Sequence, residues 1–364
     1  MFSPASYYPA YIFSTLLISC IYTIYLNKHS NTFLEKNNNS PFILLYVVLF
    51  IILVGLRPVS GYYFGDTINY ASSYYALQAN TAFYDPDSSD WLFSWLMSTC
   101  ALFMDVHGFF LLVEAGYVLL ILWACKRLIS NNATLAIIFC FGAFSFFSYG
   151  TNGIRNGLAC SFVILALSFI KGKTRDQVIA GILCFVAFSI HKSTALPILC
   201  MIISCFYQKT KVIYSFWFFS IIISAVAGSF VENIFSGLGF DDRLDNYLTN
   251  REYDDQFSSV GFRWDFLLYS AMPILLGWYV VFKEKIYDSQ YLLLLHTYIL
   301  ANAFWVMLIR ASFSNRFAYL SWFMYPIVLA YPLLMLPIWK NQGKKVGLIL
   351  MAHVLFTFLM WIKG

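Results

Sequence analysis

The sequence predicts an all-α protein that crosses a membrane many times. Hydrophobic residues make up 60% of its 364 positions and charged residues only 11%, whereas soluble domains average roughly 25% charged residues. About a dozen apolar runs have the length and composition of membrane helices. Lysines gather in alternate linkers between these runs, which is typical of a multi-pass topology. We therefore expect a single transmembrane domain over residues 1–364, built as a bundle of about 12 transmembrane helices.

Short polar linkers separate the apolar runs. The runs lie at residues 8–26, 41–56, 108–125, 133–149, 156–170, 177–190, 194–207, 212–230, 264–282, 290–308, 317–339 and 346–362. The first run has no basic segment before it, so it does not resemble a signal peptide. We expect it to be a retained span with its N-terminus outside, and an even number of spans then puts the C-terminus outside as well.

This alternation puts every lysine-rich linker in the cytoplasm, as the positive-inside rule requires. These linkers contain Lys28/Lys36, Lys126/Arg127, Lys171/Lys173/Arg175, Lys209/Lys211, Lys283/Lys285 and Lys340/Lys344/Lys345. This assignment of linkers to the cytoplasm depends on the apolar segment 91–104. Counting that segment as a span would move every later loop to the opposite side of the membrane. We interpret it as an interfacial or re-entrant helix, since it is short and carries Trp91 and Trp95.

Arginine has the opposite distribution, because most arginines fall in the predicted external segments. The external arginines are Arg57, Arg155, Arg243, Arg251, Arg263, Arg310 and Arg316. A guanidinium group can bind phosphate or carboxylate through two parallel hydrogen bonds, which an ammonium group cannot do. The alternative is that some of them pair with external acids or anchor lipid headgroups, and we favour this reading for Arg251 and Arg263.

A predicted helical hairpin brings Arg155 and His191 to the same side of the membrane. Its two apolar segments, 156–170 and 177–190, flank the basic turn at 171–175. At about 1.5 Å per residue each segment crosses most of a bilayer. Because the turn is basic, it should be cytoplasmic, so Arg155 and His191 should both face outward.

Two long external loops, 57–107 and 231–263, are expected to cover the active site. Loops of this length more often have a function than act as plain connections. Both loops mix aromatic and acidic residues: Tyr62, Tyr63, Tyr70, Tyr74, Tyr75, Tyr84, Asp66, Asp85, Asp87 and Asp90 in the first, and Asp241, Asp242, Asp245, Tyr247, Tyr253, Asp254 and Asp255 in the second. This composition suits a polyhydroxylated ligand such as a glycan, and it equally suits an aromatic belt at the membrane interface.

Several familiar kinds of site are missing from the sequence. It contains no phosphate-binding loop, no HExxH, no GxSxG and no glycine-rich dinucleotide motif, and its cysteines lack the spacing of a zinc site. We therefore expect no metal and no cofactor. The net charge of +5 follows the membrane topology rather than indicating nucleic acid. Glu114 lies inside a predicted span and is either a functional group or a structural partner of a neighbouring helix.

Five short motifs occur in a characteristic order on the predicted external side. They are Arg57 with Gly65-Asp66 and Tyr70; Ile154-Arg155-Asn156-Gly157-Leu158-Ala159; His191-Lys192-Ser193-Thr194-Ala195-Leu196; Arg243-Leu244-Asp245-Asn246-Tyr247; and Arg316-Phe317-Ala318-Tyr319. Over about residues 55–320 this order resembles the EpsG-type branch of the Wzy polysaccharide polymerases. The resemblance implies a bacterial inner-membrane enzyme that joins oligosaccharide repeat units carried on undecaprenyl diphosphate. It also implies a bundle similar to metal-independent GT-C-like glycosyltransferases and O-antigen ligases.

Such a transfer needs groups that stabilise the departing diphosphate and a base for the acceptor hydroxyl. The expected diphosphate ligands are Arg155 and Arg316, then Arg243, with Arg57 and Arg310 as further candidates. Asp66 or His191 could be the base; alternatively, His191 could bind diphosphate as a cation and leave Asp66 as the only base. The candidates for glycan binding are Tyr70, Tyr247 and Tyr319.

Three functions remain open at this point. The first is a polymerase that takes lipid-linked repeat units as both donor and acceptor, with membrane lipid and a chain-length regulator as further partners. The second is an O-antigen ligase or a polyprenyl-phosphate-dependent glycosyltransferase. The third is a flippase of lipid-linked oligosaccharides, but a transporter usually has charges near the membrane midplane and internal pseudo-symmetry. This chain keeps almost all its charges near the predicted faces and has no recognisable repeat.

Overall fold

The computed structural model of the protein describes residues 3–236, 262–310 and 314–363. Within these ranges the regular secondary structure is entirely helical and contains no strand, which confirms the predicted all-α class. Among the described residues, six helices are long and apolar enough to cross a membrane, and five shorter apolar helices accompany them. The chain is thus a multi-pass membrane protein. The total of 12 spans and the side on which each terminus lies stay predictions.

The described chain divides into two compact units. The first comprises Met1–Ala195 together with Ala330–Gly364, and the second comprises Leu196–Leu329. The interpretation of the whole chain as a single membrane domain stays a prediction.

Eleven described α-helices lie wholly within the first unit. They are α1 (Tyr7–Lys28), α2 (Pro41–Gly55), α3 (Gly61–Phe64), α4 (Thr67–Gln78), α5 (Trp91–Ala101), α6 (Val106–Leu128), α7 (Ala133–Gly142), α8 (Phe146–Thr151), α9 (Ile154–Leu167), α10 (Thr174–Ile190) and, after the second unit, α17 (Gln342–Lys363). α1 packs along α17, and α6 packs against both α2 and α9. α9 and α10 pack closely as a hairpin, in agreement with the predicted hairpin.

Helix α6, with 23 residues, is the longest described α-helix of the first unit. Asp105 caps its first turn by accepting a hydrogen bond from the backbone N–H of Gly108 at 2.8 Å, and Lys126 and Arg127 occupy its last turn. An acid at the first turn and bases at the last turn both stabilise the helix dipole. At about 1.5 Å per residue its 23 residues extend over about 34 Å, slightly more than the hydrocarbon core of a bilayer.

Several lysine-rich linkers meet at the C-terminal end of α6, and we call them together the basic end of the first unit. They contain Lys28/Lys36, Lys126/Arg127, Lys171/Lys173/Arg175 and Lys340/Lys344/Lys345. Asn38 donates a hydrogen bond to the side chain of Asn132 at 2.7 Å, and the N–H of Gly343 donates to the carbonyl of Ser30 at 3.0 Å. The guanidinium of Arg127 lies 3.5 Å from the ring centroid of Phe169, next to the basic turn. Four of the six lysine-rich linkers therefore share this end, as their charge pattern predicts.

Helix α5 lies within the segment that the sequence assigns to an interfacial or re-entrant helix. Its 11 residues reach only about 16 Å, which is too short to cross a bilayer. Phe93 is buried against the unit, whereas Trp91 and Trp95 are 37% and 48% exposed. The helix thus has one packed face and exposed tryptophans, and its position at the membrane interface stays a prediction.

The second unit is also helical. Its helices are α11 (Ala195–Phe206), α12 (Thr210–Ser236), α13 (Trp264–Trp278), α14 (Ser289–Met307), α15 (Ser314–Trp322) and α16 (Tyr325–Met335), and α11 and α16 each cross a boundary with the first unit. α12 packs against α14. In α14 the ring Nε2 of His296 is hydrogen-bonded to the hydroxyl of Thr210 at 3.0 Å.

Candidate active site

A buried carboxylate joins Arg155 and His191. Asp90 Oδ2 lies 2.8 Å from Arg155 Nη1 and 3.2 Å from His191 Nδ1. Its other oxygen, Oδ1, accepts a hydrogen bond from the backbone N–H of Lys192 at 3.0 Å. The side chain of Asp90 is only 5% exposed, while those of Arg155 and His191 are 20% and 19% exposed. We call Asp90, Arg155 and His191 the Asp90 site.

Two helix ends present the cationic members of the site. Arg155 is the second residue of α9, directly after Ile154 and the N-cap residue Gly153. The N-terminus of a helix favours bound anions, because its free N–H groups and its dipole are positive. His191 ends α10 with an extended backbone at φ −154° and ψ 112°. The hydroxyl of Thr194 donates to the His191 carbonyl at 2.8 Å and so stabilises this bend.

Asp90 occupies the N-cap position of α5 but does not cap the helix with its side chain. Aspartate at this position commonly accepts a hydrogen bond from the first turn. Here the backbone carbonyl of Asp90 accepts the N–H groups of Phe93 and Ser94, each at 3.1 Å, and the carboxylate binds Arg155 and His191 instead. The side chain therefore makes tertiary contacts where a local contact would be usual.

The surroundings of Asp90 favour its ionised form. Burial raises its pKa, but the hydrogen bond and charge of His191, the charge of Arg155 and the N–H of Lys192 together hold the pKa below its ordinary value. The carboxylate is therefore ionised at neutral pH and accepts the Nδ1 hydrogen of His191. In the neutral ring this leaves Nε2 with a free lone pair that can accept a proton.

We expect the protein to lose stability on acidification through Asp90. The pKa of Asp90 is lower in the folded protein than in the unfolded chain. Its ionised carboxylate therefore stabilises the folded state at pH values above the ordinary aspartate pKa of about 4, and this contribution is lost as the pH falls through the lowered pKa of the folded state. Thermal unfolding of the purified protein in nanodiscs, measured from about pH 7 to about pH 3, would check this. The Asp90→Asn variant removes the titrating group, so its stability should fall less steeply. If the stability of the wild type and of Asp90→Asn decreased equally steeply with falling pH, this result would contradict the expectation.

Arg57 is not placed where the sequence suggests. It is fully buried, at 0% exposure, and its guanidinium donates to Val54 O, Thr67 Oγ1 and Thr151 O at 2.9 to 3.3 Å. A guanidinium with these internal partners and no exposed surface has no donor directed at solvent. This geometry argues against Arg57 as a direct ligand of a diphosphate.

Asp66 lies close to the start of α9 but outside the Asp90 site. Its backbone N–H donates to Asn152 Oδ1 at 2.8 Å, and its carboxylate accepts from Asn69 at 3.2 Å. Within the described residues it forms no hydrogen bond or ion pair with Arg155 or His191. Of the two candidate bases, His191 is therefore the one joined to Arg155 through a shared carboxylate.

The other predicted ligands are distributed over both units and the undescribed segments. Tyr70 lies in the first unit, with its ring 5.8 Å from that of Phe93. In the second unit Arg310 is exposed and donates to the carbonyl of Ala225 at 3.2 Å, and Tyr319 contacts Trp322. The calls on Arg243, Tyr247 and the side chain of Arg316 fall outside the described residues. The roles proposed for all these residues stay predictions.

Glu114 is buried in α6 close to Arg57. It is 1% exposed, and neither of its carboxylate oxygens has a hydrogen-bond partner among the described residues. The side chains of Glu114 and Arg57 do not form an ion pair within 4.0 Å. Within the described ranges no group of three His, Cys, Asp or Glu residues could hold a metal ion.

Sequence reasoning missed the central role of Asp90. It named this residue only as one of several acids in the first external loop. The available signal was local: an aspartate directly before the apolar helix at 91–101 suggests an N-cap. That signal predicts a bond within the helix, so it gives no indication of the actual partners, which follow 65 and 101 positions later in the chain.

Comparison with known proteins gives one match. The model of the EpsG family matches residues 40–364, a stretch that includes the whole Asp90 site. No curated protein and no solved structure matches the chain. The family match covers far more than half of the sequence and agrees with the resemblance seen in the order of its motifs. The chain therefore belongs to the EpsG family.

Proposed function

We propose that the protein is a polysaccharide polymerase of the bacterial inner membrane. In this proposal it transfers a glycan from undecaprenyl diphosphate to the end of another lipid-linked repeat unit at the outer face. Membership of the EpsG family supports a polymerase-type glycosyltransferase of polysaccharide biosynthesis. The observation that carries the chemical assignment is the Asp90 site, which joins a histidine and an arginine through one buried carboxylate.

In this site His191 acts as the general base. The acceptor hydroxyl attacks the anomeric carbon of the donor sugar while the bond from that carbon to the diphosphate oxygen breaks. The hydroxyl proton passes to His191 Nε2, and the leaving diphosphate takes the bonding electrons. Asp90 accepts the Nδ1 hydrogen, orients the ring and stabilises the imidazolium that forms, as a carboxylate does when paired with a catalytic histidine.

Arg155 stabilises the departing diphosphate. A guanidinium has five N–H donors, and the one ion pair that Arg155 forms with Asp90 uses Nη1. The side chain keeps 20% of its surface exposed, and it lies in the first turn of α9, where the helix dipole favours an anion. Preorganised donors of this kind typically contribute about 2.7 to 4 kcal/mol to the transition state.

The proposal also includes candidate ligands for which no contact with the Asp90 site is described. Arg316, Arg243 and Arg310 are proposed as further ligands of the diphosphate, and Tyr70, Tyr247 and Tyr319 as contacts of the glycan. No metal or cofactor is included, because the arginines and the helix terminus supply the positive charge that the leaving group needs. A chain-length regulator is a proposed partner.

The test is an assay of purified protein in nanodiscs with repeat units on undecaprenyl diphosphate. Wild-type protein should form polymer, with or without a chelator. His191→Ala should reduce the rate by about 10²-fold or more, because general base catalysis typically contributes 10² to 10⁴. His29→Ala is the matched control: this histidine bonds to the carbonyl of Tyr25 at 3.1 Å and belongs to the basic end.

The products separate the competing functions. Longer lipid-linked chains support a polymerase, transfer to a different acceptor indicates a ligase, and movement of an unaltered lipid across the bilayer indicates a flippase. Full activity of His191→Ala would remove His191 as the base. A loss of activity on chelation that only a divalent ion restores would contradict metal independence.

A further inference from the structure

The fully buried Arg57 binds the turn that leads into the Asp90 site. Its Nη2 donates to the carbonyl of Thr151 at 3.2 Å, and Nε and Nη2 both lie 3.3 Å from Thr67 Oγ1. Its Nη1 donates to Val54 O at 2.9 Å, and the guanidinium lies 4.7 Å from the ring centroid of Phe110. One side chain therefore ties together the end of α2, the start of α4 and the end of α8.

The start of α4 holds the same turn by two further bonds. The hydroxyl of Thr67 donates to the carbonyl of Thr151 at 2.7 Å. The backbone N–H of Asp66 donates to Asn152 Oδ1 at 2.8 Å. The turn consists of residues 151–153, and Arg155 is the second residue of the helix that follows. Helix α9 therefore begins shortly after the carbonyl of Thr151, and this carbonyl accepts hydrogen bonds from both Arg57 and Thr67.

Glu114, a buried acidic residue on α6, lies near Arg57. Burial lowers the pKa of Arg57 to about 10, so the guanidinium is protonated at neutral pH. A buried cation is costly unless an opposite charge lies near it. Glu114 also packs against α8, since a Cβ added at Gly150 would meet its Oε2 at 2.6 Å.

We propose that Arg57 is a positioning residue for Arg155. The planar fork holds the Thr151 carbonyl and so fixes the start of α9, from which Arg155 reaches Asp90. The catalytic consequence rests on the proposed function, whereas the positioning itself does not. Displacing a catalytic group by about 1 Å can cost about 10²-fold in rate, so a residue that never contacts the substrate can still control turnover.

The first arm of the test measures positioning without any reaction. Arg57→Lys keeps the charge, but its single nitrogen cannot occupy the separate positions of Nε, Nη1 and Nη2 from which the guanidinium reaches Thr67, Val54 and Thr151. Hydrogen exchange of residues 151–160 should become faster in this variant and, to a smaller extent, in Thr67→Val. The matched control is Arg127→Lys, at the basic end, which should leave this segment unchanged. Unchanged exchange in a folded Arg57→Lys protein would overturn the proposal.

The second arm is a double-mutant cycle in the polymer assay. Arg57→Lys should lower kcat about tenfold or more with little change in the KM for the donor. In an Arg155→Lys background the same change should have a much smaller effect, because residues that act through one another are not additive. Additive effects would mean that Arg57 acts only on general stability and would overturn the proposal. If the wild type forms no polymer, the proposed function fails, while the exchange experiment still decides the positioning.

Discussion

Arg155→Ala is expected to abolish polymer formation and to leave single repeat units attached to their lipid. The variant removes the guanidinium that we assign to the leaving diphosphate, which costs about 10²- to 10³-fold when one such donor is lost. It also leaves Asp90 without its closest cationic partner at 2.8 Å, and removing one partner of a buried pair is strongly destabilising. Gel analysis of lipid-linked products, with the amount of folded protein measured in parallel, checks both effects.

The Arg155→Lys variant tests whether Arg155 acts through its positive charge alone or through the planar guanidinium with its parallel N–H donors. Lysine keeps the positive charge near Asp90, so this variant should fold and insert normally. It cannot bind a phosphate through two parallel N–H donors, and we expect it to recover only a small part of the lost activity. The matched control is Arg263→Lys, since Arg263 pairs only locally with Asp265 at 2.9 Å among the described ion pairs. Full activity of Arg155→Lys would rule out the proposed two-donor contact.

Asp90→Asn is expected to reduce turnover by about 10²- to 10⁴-fold while the protein remains folded. The amide has nearly the same shape as the carboxylate, but it carries no charge to stabilise an imidazolium at His191. Its NH2 group can also donate to Nδ1, which would place the ring hydrogen on Nε2 and block the base. The rate of polymer formation at saturating donor, together with thermal unfolding, measures the effect.

Further variants separate the charge of Asp90 from its packing. Asp90→Ala should destabilise the protein by about 3 to 5 kcal/mol, because it leaves Arg155 and His191 partly buried without their counter-ion. Asp176→Asn serves as the matched control, since Asp176 accepts a hydrogen bond from Lys173 in the basic turn. If Asp66→Asn stopped turnover while Asp90→Asn did not, Asp66 would be the base and His191 would not.

Much of the first unit could be predicted from periodicity and charge. The apolar runs predicted the helices, and the hairpin with its basic turn predicted that Arg155 and His191 share an end. The contact of both residues with Asp90 agrees with that prediction. Such features are accessible because helix formation and the sidedness of lysine depend on residues that are close in sequence.

The exact partners could not be predicted in the same way. Arg57, as an external arginine in a motif, was expected to bind diphosphate, but the structure buries it beneath the turn at 151–153. Asp90 was an ordinary acid of a long loop, but it lies at the centre of the site. A short motif specifies the type of a side chain, whereas its burial depends on packing from distant segments.

The sequence by itself determined the all-helical class and the membrane setting, because hydropathy and charge act over one helix length. It also carried the order of motifs that indicates the EpsG family. Only the tertiary structure distinguished Arg155, which we propose as a ligand of the diphosphate, from Arg57, which we propose as a positioning residue. The physical reason is that one carboxylate and one carbonyl, on Asp90 and Thr151, select their arginines through hydrogen bonds of about 3 Å between residues that are far apart in the chain.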